Sequence, residues 1–308
     1  MIVVAGEALI DLVPQQTAAA AAAAAGDRDR TDRTAPAALL PRLGGGPFNT
    51  AVALGRLGSP AAFCSRISTD VFGDMLMEGL KASGVDTSLV QRGHEPTTLA
   101  VAALGPDGSA GFGFYAEGSA DRLFELPHTL PPEVRALALG TCSLVLEPGA
   151  SAYEALLRRE SARGVFTLLD PNIRPGLIPD PDAYRTRFTG WLPSVTLLKL
   201  SVDDAAWLGG VPAEWTARGP AAVVLTRGAE GLSVWTADGT EVSVPAAPVS
   251  VVDTIGAGDT VNAAVLHALS VRDALSPSGL VALGASGWRE VLDFASHAAA
   301  EVCARAGA

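Results

Sequence analysis

The residues best placed to do chemistry lie in Val252-Asp253-Thr254-Ile255-Gly256-Ala257-Gly258-Asp259-Thr260, directly ahead of an apolar stretch with helical periodicity over 258–268. Gly256 and Gly258 permit backbone geometries and close approaches that a Cβ would block. The unpaired N–H groups at the start of the following helix, together with its dipole, favour an anion. A carboxylate in that same turn, Asp259, has two readings. It is a helix cap, or it is a general base that takes a proton from a hydroxyl while the N–H groups hold the phosphate under attack. Phosphoryl transfer rests on positioning and electrostatic stabilisation, so one base beside an anion hole is enough apparatus. The run is neither the dinucleotide fingerprint GxGxxG nor a P-loop, since no lysine follows the glycines.

Such a turn needs a scaffold, and the chain offers one of a definite class. Short apolar runs at 2–5, 61–65, 137–139, 165–169, 195–198 and 222–225 read as strands. Helical periodicity follows over 49–57, 72–83, 150–163, 182–189, 202–208, 258–268 and 288–305. Alternation of this kind predicts an α/β fold with right-handed crossovers and a mainly parallel sheet flanked by helices. Ligands of such sheets gather beyond the carboxyl ends of the strands. Two stretches break the alternation. The segments 97–104 and 111–115, joined by Pro106-Asp107-Gly108, read as a β-hairpin. From 15 to 38 lies an insertion with eight consecutive alanines, Ala18 to Ala25, then alternating Asp and Arg. Eight alanines alone make a marginal helix, and the segment reads as solvent-exposed.

The 308 residues suit two domains or one large α/β unit, with 48% hydrophobic residues to fill a core. Lys+Arg number 22 and Asp+Glu 33, a net charge of −11, which repels phosphate backbones and argues against nucleic acid as a partner. Cys64, Cys142 and Cys303 form no CxxC pair and read as reduced, buried thiols. The four histidines show no metal-ligand spacing. The N-terminus has no basic region before its apolar run, and no apolar run reaches the ~18 residues of a membrane span. A cytoplasmic location, away from membranes, is the expectation.

Val252 to Thr260 resembles the DTxGAGD signature of the ribokinase-like (PfkB) carbohydrate kinases. A second signature agrees with it: Gly44-Gly45-Gly46-Pro47-Phe48-Asn49-Thr50-Ala51, continuing to Ile67-Ser68-Thr69-Asp70-Val71-Phe72-Gly73. The resemblance runs from Ile2 to Ala308, interrupted by the alanine-rich insertion. It implies one Rossmann-like kinase domain over 1–308, with a β-sheet lid built from segments near 10–43 and 97–118. It implies ATP and Mg2+ as the phosphoryl-donor complex, a small-molecule sugar as acceptor, and dimerisation through the lid, common in relatives, as an open expectation.

Carried over by position, the resemblance makes Asp259 the catalytic base and Gly256, Ala257 and Gly258 the anion hole. Asp11, in Gly6-Glu7-Ala8-Leu9-Ile10-Asp11, matches the sugar-binding aspartate, and a carboxylate can accept hydrogen bonds from two neighbouring hydroxyls. By spacing alone Asp11 is an ordinary polar residue at a strand end. Gly45 and Asn49 match sugar-contacting positions, although Asn49 also reads as an N-cap. Phe114 would lie on the lid over the sugar. Arg174, in Asp170-Pro171-Asn172-Ile173-Arg174-Pro175, is a solvated charge or a two-pronged donor to a phosphate or substrate oxygen. Ser201 and Asp204 stand where the family's NxxE motif has Asn and Glu, which implies a magnesium role for Asp204, water-mediated because its side chain is shorter. Thr226, Gly228 and Gly231 resemble the nucleotide loop, and Ser296 the helix beside the adenine. Asp253 and the Ile255 carbonyl match part of a monovalent-cation (K+) site. Its other ligands would fall at Arg305, Gly307 and a position beyond Ala308, so potassium activation is an incomplete expectation.

Within the family, Gly45 to Thr50 and the stretch Thr97 to Asp121 look most like bacterial fructokinases. Fructose, phosphorylated to fructose 6-phosphate, is therefore the expected reaction. A 2-keto-3-deoxygluconate (sugar-acid) kinase is the alternative, followed by a ribose or nucleoside kinase and a non-catalytic sugar sensor.

Overall fold

The computed structural model describes residues 1–15, 38–104 and 110–305. The alanine-rich insertion expected over 15–38 lies outside them except at its two ends. In chain order the strands are β1 (Ile2–Ala5), β2 (Leu9–Pro14), β3 (Leu39–Gly44), β4 (Ala61–Ser68), β5 (Val90–Gly93), β6 (Leu99–Leu104) and β7 (Ala110–Tyr115). They continue with β8 (Ala136–Gly140), β9 (Phe166–Asp170), β10 (Leu197–Ser201), β11 (Ala222–Thr226), β12 (Leu232–Thr236) and β13 (Glu241–Val244). The helices are α1 (Gly46–Arg56), α2 (Val71–Ala82), α3 (Gly149–Ala162), α4 (Pro181–Trp191) and α5 (Val202–Leu208). After them come α6 (Pro212–Thr216), α7 (Ala257–Val271), α8 (Pro277–Ala282) and α9 (Gly284–Cys303).

Among the described residues, nine strands form one sheet in the order β13-β12-β11-β10-β9-β8-β1-β4-β5. Neighbours from β11 through β9, β8 and β1 to β5 run parallel, while β12 and β13 close one edge antiparallel. Alternation within each strand feeds two separate cores. Ile2 and Val4 of β1 face one apolar layer with Phe48, Leu266 and Trp288. Val3 and Ala5 face the other, with Tyr153, Trp191 and Leu198. A parallel sheet buried on both faces needs apolar residues at nearly every position, which is what made its strands readable. Strand order reverses beside β1, which pairs with β4 on one side and β8 on the other. The crevice beyond the carboxyl ends of β1 and β8 is the switch point where such folds bind ligands.

The second sheet has the order β3-β2-β6-β7, with β2 antiparallel to β3 and parallel to β6. The Gln15 N–H donates to the Ala38 carbonyl at 2.7 Å, so the chain leaves and re-enters the sheet at adjacent points. The root of β6 is tied down by two carboxylates. Asp70 accepts from the Thr97 N–H at 2.9 Å, and buried Asp121 accepts from the Thr98 hydroxyl at 2.5 Å.

Several elements depart from the sequence reading. Strand β10 starts at Leu197 rather than 195, and α9 spans Gly284–Cys303 rather than 288–305. Gly284, with φ 57°, bends the chain after α8, a backbone event that leaves no trace in hydrophobic periodicity. β12 and β13 depart from the βα alternation as an antiparallel pair at the sheet edge, and β13 is half exposed, with only Val242 and Val244 turned inward.

Candidate active site

A cavity of about 350 Å³ opens at the switch point. The loops after β1, β8 and β9 line it with Glu7, Thr141 and Arg174, and β10 contributes Lys199. The small sheet contributes Asp11 and Phe114, and α7 presents Gly256, Gly258 and Asp259. Asp259, Asp11, Gly45, Asn49, Phe114 and Arg174 thus come together from segments far apart in the chain.

Helix α7 is rich in alanine, leucine and valine, and begins after Gly256, whose φ of 78° is a left-handed conformation that suits glycine. Within the turn, the Ile255 N–H donates to Asp253 Oδ1 at 3.0 Å and the Ala257 N–H to the Thr254 carbonyl at 3.2 Å. Among the described residues, no hydrogen bond engages the N–H of Gly256 or Gly258, and both residues line the cavity. Of the three residues expected at an anion hole, Ala257 spends its N–H inside the turn, and Gly256 and Gly258 keep theirs unengaged.

Asp259 is 8% exposed. Burial pushes its carboxyl up to about 7, with Asp170 and Glu7 adding to the rise. The Asn49 amide and the Lys199 ammonium oppose that shift. Asn49 Nδ2 donates to Asp259 Oδ2 at 2.9 Å, and the Thr50 hydroxyl donates to the Asp259 carbonyl at 3.2 Å. Asn49 lies inside α1 and does not cap it; the N-cap is Gly45. Gly45 has φ 106°, and a Cβ there would stand 2.7 Å from the Glu7 carbonyl. Only glycine fits.

Asp11 stands opposite Arg42 in the β2–β3 register, and its carboxylate lies over Gly44. Burial raises its pKa to about 6, against the pull of Arg174. Arg174 is exposed, and its Nη1 donates to Asn172 Oδ1 at 2.7 Å.

The residues expected at a nucleotide lie further along the same sheet edge, outside this cavity. Ser201 and Thr226 are register partners at the ends of β10 and β11, and Gly228 and Gly231 follow in the next turn. Ser201 caps α5, and Asp204 completes a capping box with it. Asp204 Oδ2 accepts from the Ser201 N–H at 2.9 Å and hydroxyl at 2.6 Å, while Oδ1 accepts from the Ile173 N–H at 2.7 Å. Both oxygens serve the local fold. Ser296 is likewise committed: it accepts from the Ala247 N–H at 2.8 Å and donates to the Pro245 carbonyl at 3.2 Å. That holds the 245–247 segment against α9. For the expected cation site, Asp253 receives the Ile255 N–H, and Gly307 lies outside the described residues.

Sequence reasoning missed three polar residues of the site. Glu7 is 2% exposed, accepts from the Thr141 and Ser143 hydroxyls, and has its pKa raised chiefly by burial. Lys199 is 5% exposed and pairs with Asp170. Asn262, one turn beyond Asp259, donates to Asp170 Oδ2 at 2.7 Å. The available signal was a lone lysine inside the otherwise apolar run Leu197-Leu198-Lys199-Leu200.

A helix start with two unengaged glycine N–H groups and a buried carboxylate, beside a cavity flanked by a small sheet, suits a kinase of small molecules. The family model for pfkB family carbohydrate kinases matches residues 1–308, and the chain belongs to that family; it is a sugar kinase. It is 40% identical over 292 residues to a fructokinase of Rhizobium leguminosarum bv. trifolii, covering 92% of this chain and 84% of that protein. The structure of a Xylella fastidiosa fructokinase with bound ATP superposes with a TM-score of 0.85 at 28% identity, covering 100% of this chain and 93% of that one. A double mutant of the Vibrio cholerae O395 fructokinase, in a fructose-, ADP- and potassium-bound form, gives a TM-score of 0.80. At 24% identity, with 99% of this chain and 93% of that one covered, that likeness speaks for the ribokinase-like fold alone. Among the described residues, no helix is long and apolar enough to cross a membrane.

Proposed function

We propose that this chain is an ATP-dependent fructokinase that makes fructose 6-phosphate. One observation carries the reading: Asp259, held by Asn49, faces the same cavity as Asp11 and adjoins the unengaged N–H groups of Gly256 and Gly258. Asp259 takes the proton of a primary hydroxyl, the oxygen bonds to the γ-phosphorus of ATP, and the bond to the ADP oxygen breaks. The glycine N–H groups and the α7 dipole stabilise charge on the transferred group. Asp11 accepts hydrogen bonds from sugar hydroxyls, and the small sheet, through Phe114, acts as a lid that excludes water. Ser201, Thr226, Gly228 and Gly231 border the nucleotide, with Ser296 shaping its far wall.

Magnesium enters differently from the sequence expectation. Among the described residues, no group of three or more His, Cys, Asp or Glu could hold a metal, and Asp204 is committed to its capping box. The residues do not fit a protein-built magnesium site. Mg2+ accompanies ATP as part of the substrate, held by phosphates and water, as suits an ion that keeps several waters.

A sugar acid would bring a carboxylate to a cavity that Glu7, Asp11 and Asp259 already line, where Lys199 is paired to Asp170 and Arg174 is the remaining cation of the lining. That arrangement favours a neutral sugar. Steady-state rates with ATP over fructose, 2-keto-3-deoxygluconate, ribose and adenosine test the reading. Fructose gives the highest kcat/KM; turnover of another acceptor without fructose phosphorylation overturns it.

A further inference from the structure

Beneath the cavity floor, polar side chains from three elements meet. Lys199 Nζ of β10 stands 2.8 Å from Asp170 Oδ2 at the end of β9, and Asn262 Nδ2 of α7 donates to the same oxygen at 2.7 Å. All three residues are buried. A Cβ on Gly258 would lie 3.0 Å from Lys199 Nζ, so the ammonium sits directly against the anion-binding turn. Asp170 Oδ1 and Asn262 Oδ1 have no partner among the described residues. Both residues line, with Asp259, a second cavity of about 10 Å³. A buried ion pair is weak evidence for stability, since apolar residues of similar volume often serve as well. The reaction written above gives Asp170 and Asn262 no part.

We propose that Asp170 is a positioning residue for phosphoryl transfer: through Lys199 and Asn262 it fixes a buried positive charge beneath the Gly258 turn and sets the base strength of Asp259. The inference rests on Asp259 acting as the base. The groups facing Asp259 are the Asn49 amide from α1, Lys199 from β10, Asp170 from β9 and Glu7 from the loop after β1. Asp11, Arg174 and Cys142 line the same cavity. The Cys142 thiol is pushed well up by burial and stays uncharged. Burial alone would lower the Lys199 pKa, but Asp170 first, and Asp259 and Asp204 with it, outweigh burial; the last two still hold the ammonium charged when Asp170 is made neutral. Lys199 therefore favours the ionised base, and Asp170 restrains that effect while fixing where the lysine stands.

The two charges make opposite predictions, which a merely structural role would not. In the pH profile of kcat/KM, Asp170→Asn moves the acid limb down by about one unit, and Lys199→Met moves it up by about as much. Lys199→Arg, which keeps the charge, restores the wild-type midpoint. Acid limbs that stay put in both variants, or move the same way, overturn the proposal. Should Asp170→Asn not fold, as judged by thermal unfolding, the Lys199→Met arm decides alone: an upward shift supports the proposal and an unmoved limb sinks it. Failure of the base assignment looks different, since Asp259→Asn would then keep its rate and the wild-type acid limb would be missing.

Discussion

Asn49 Nδ2 donates to Asp259 Oδ2 at 2.9 Å, joining helices α1 and α7 across 210 positions of sequence. The two family signatures thus meet in one hydrogen bond. It favours the ionised form of a carboxylate that burial pushes toward the neutral form.

Removing that donor has a predictable direction. A hydrogen bond to a charged group contributes about 1.5–3 kcal/mol, or roughly one to two pH units of base strength. In Asn49→Leu the acid limb of kcat/KM moves up from about 7 by that amount. Activity at neutral pH drops roughly 5- to 50-fold and recovers in alkaline buffer. A uniform loss at every pH would place Asn49 in sugar binding alone.

Stability responds to Asp259 in the opposite sense from activity. The folded carboxyl titrates at about 7 and the ordinary one at 3.8, so between those values the folded chain holds a proton that the unfolded chain has lost. Stability contributed by this group therefore falls as pH rises through that window and stays low above it. Asp259→Asn unfolds at a higher temperature than the wild type at pH 8, by about 5 °C, and the gain fades toward pH 4. Calorimetry at both pH values checks this; a gain confined to acid pH contradicts it.

Asp11 separates binding from chemistry. Asp11→Asn raises KM for fructose roughly 10- to 100-fold, with kcat nearly unchanged, because a charged acceptor is lost while the base remains. In the wild type, KM rises as pH falls through about 6, where Asp11 takes up a proton. Steady-state kinetics at two pH values resolve both effects, and a kcat loss with constant KM would count against this role.

Backbone geometry is tested by two glycines with positive φ. Gly45 meets the Glu7 carbonyl 2.7 Å from an ideal Cβ, whereas Gly58, with φ 79°, has nothing within 4 Å. Gly58→Ala carries conformational strain alone, of order 1 kcal/mol, while Gly45→Ala adds a clash and lowers the melting temperature further. Equal melting shifts would remove the steric argument.

The central sheet was legible because strands buried on both faces are apolar throughout, as in Ile2–Ala5 and Ala222–Thr226. The antiparallel pairing of β6 and β7 was legible from their apolar segments, although the Pro106-Asp107-Gly108 turn expected between them lies outside the described residues; β2 and β3 were not read from their own residues, since an insertion separates two short strands whose pairing only the fold supplies. In the site, residues within the two glycine signatures could be read. Glu7, Asp170, Lys199 and Asn262 could not be given roles, because their partners lie 29 to 136 positions away. Asp204 has a local role that the motif did not reveal: a short carboxylate three residues after Ser201 fits a capping box as well as it fits a motif.

The most direct measurement is the rate of ATP-dependent fructose phosphorylation by Asp259→Asn at pH 8, with sugar affinity measured separately by calorimetric titration. A general base contributes about 10²–10⁴ in rate, so the variant falls by that factor while binding fructose as the wild type does. A variant that still phosphorylates fructose at the wild-type rate would show that proton transfer does not pass through Asp259.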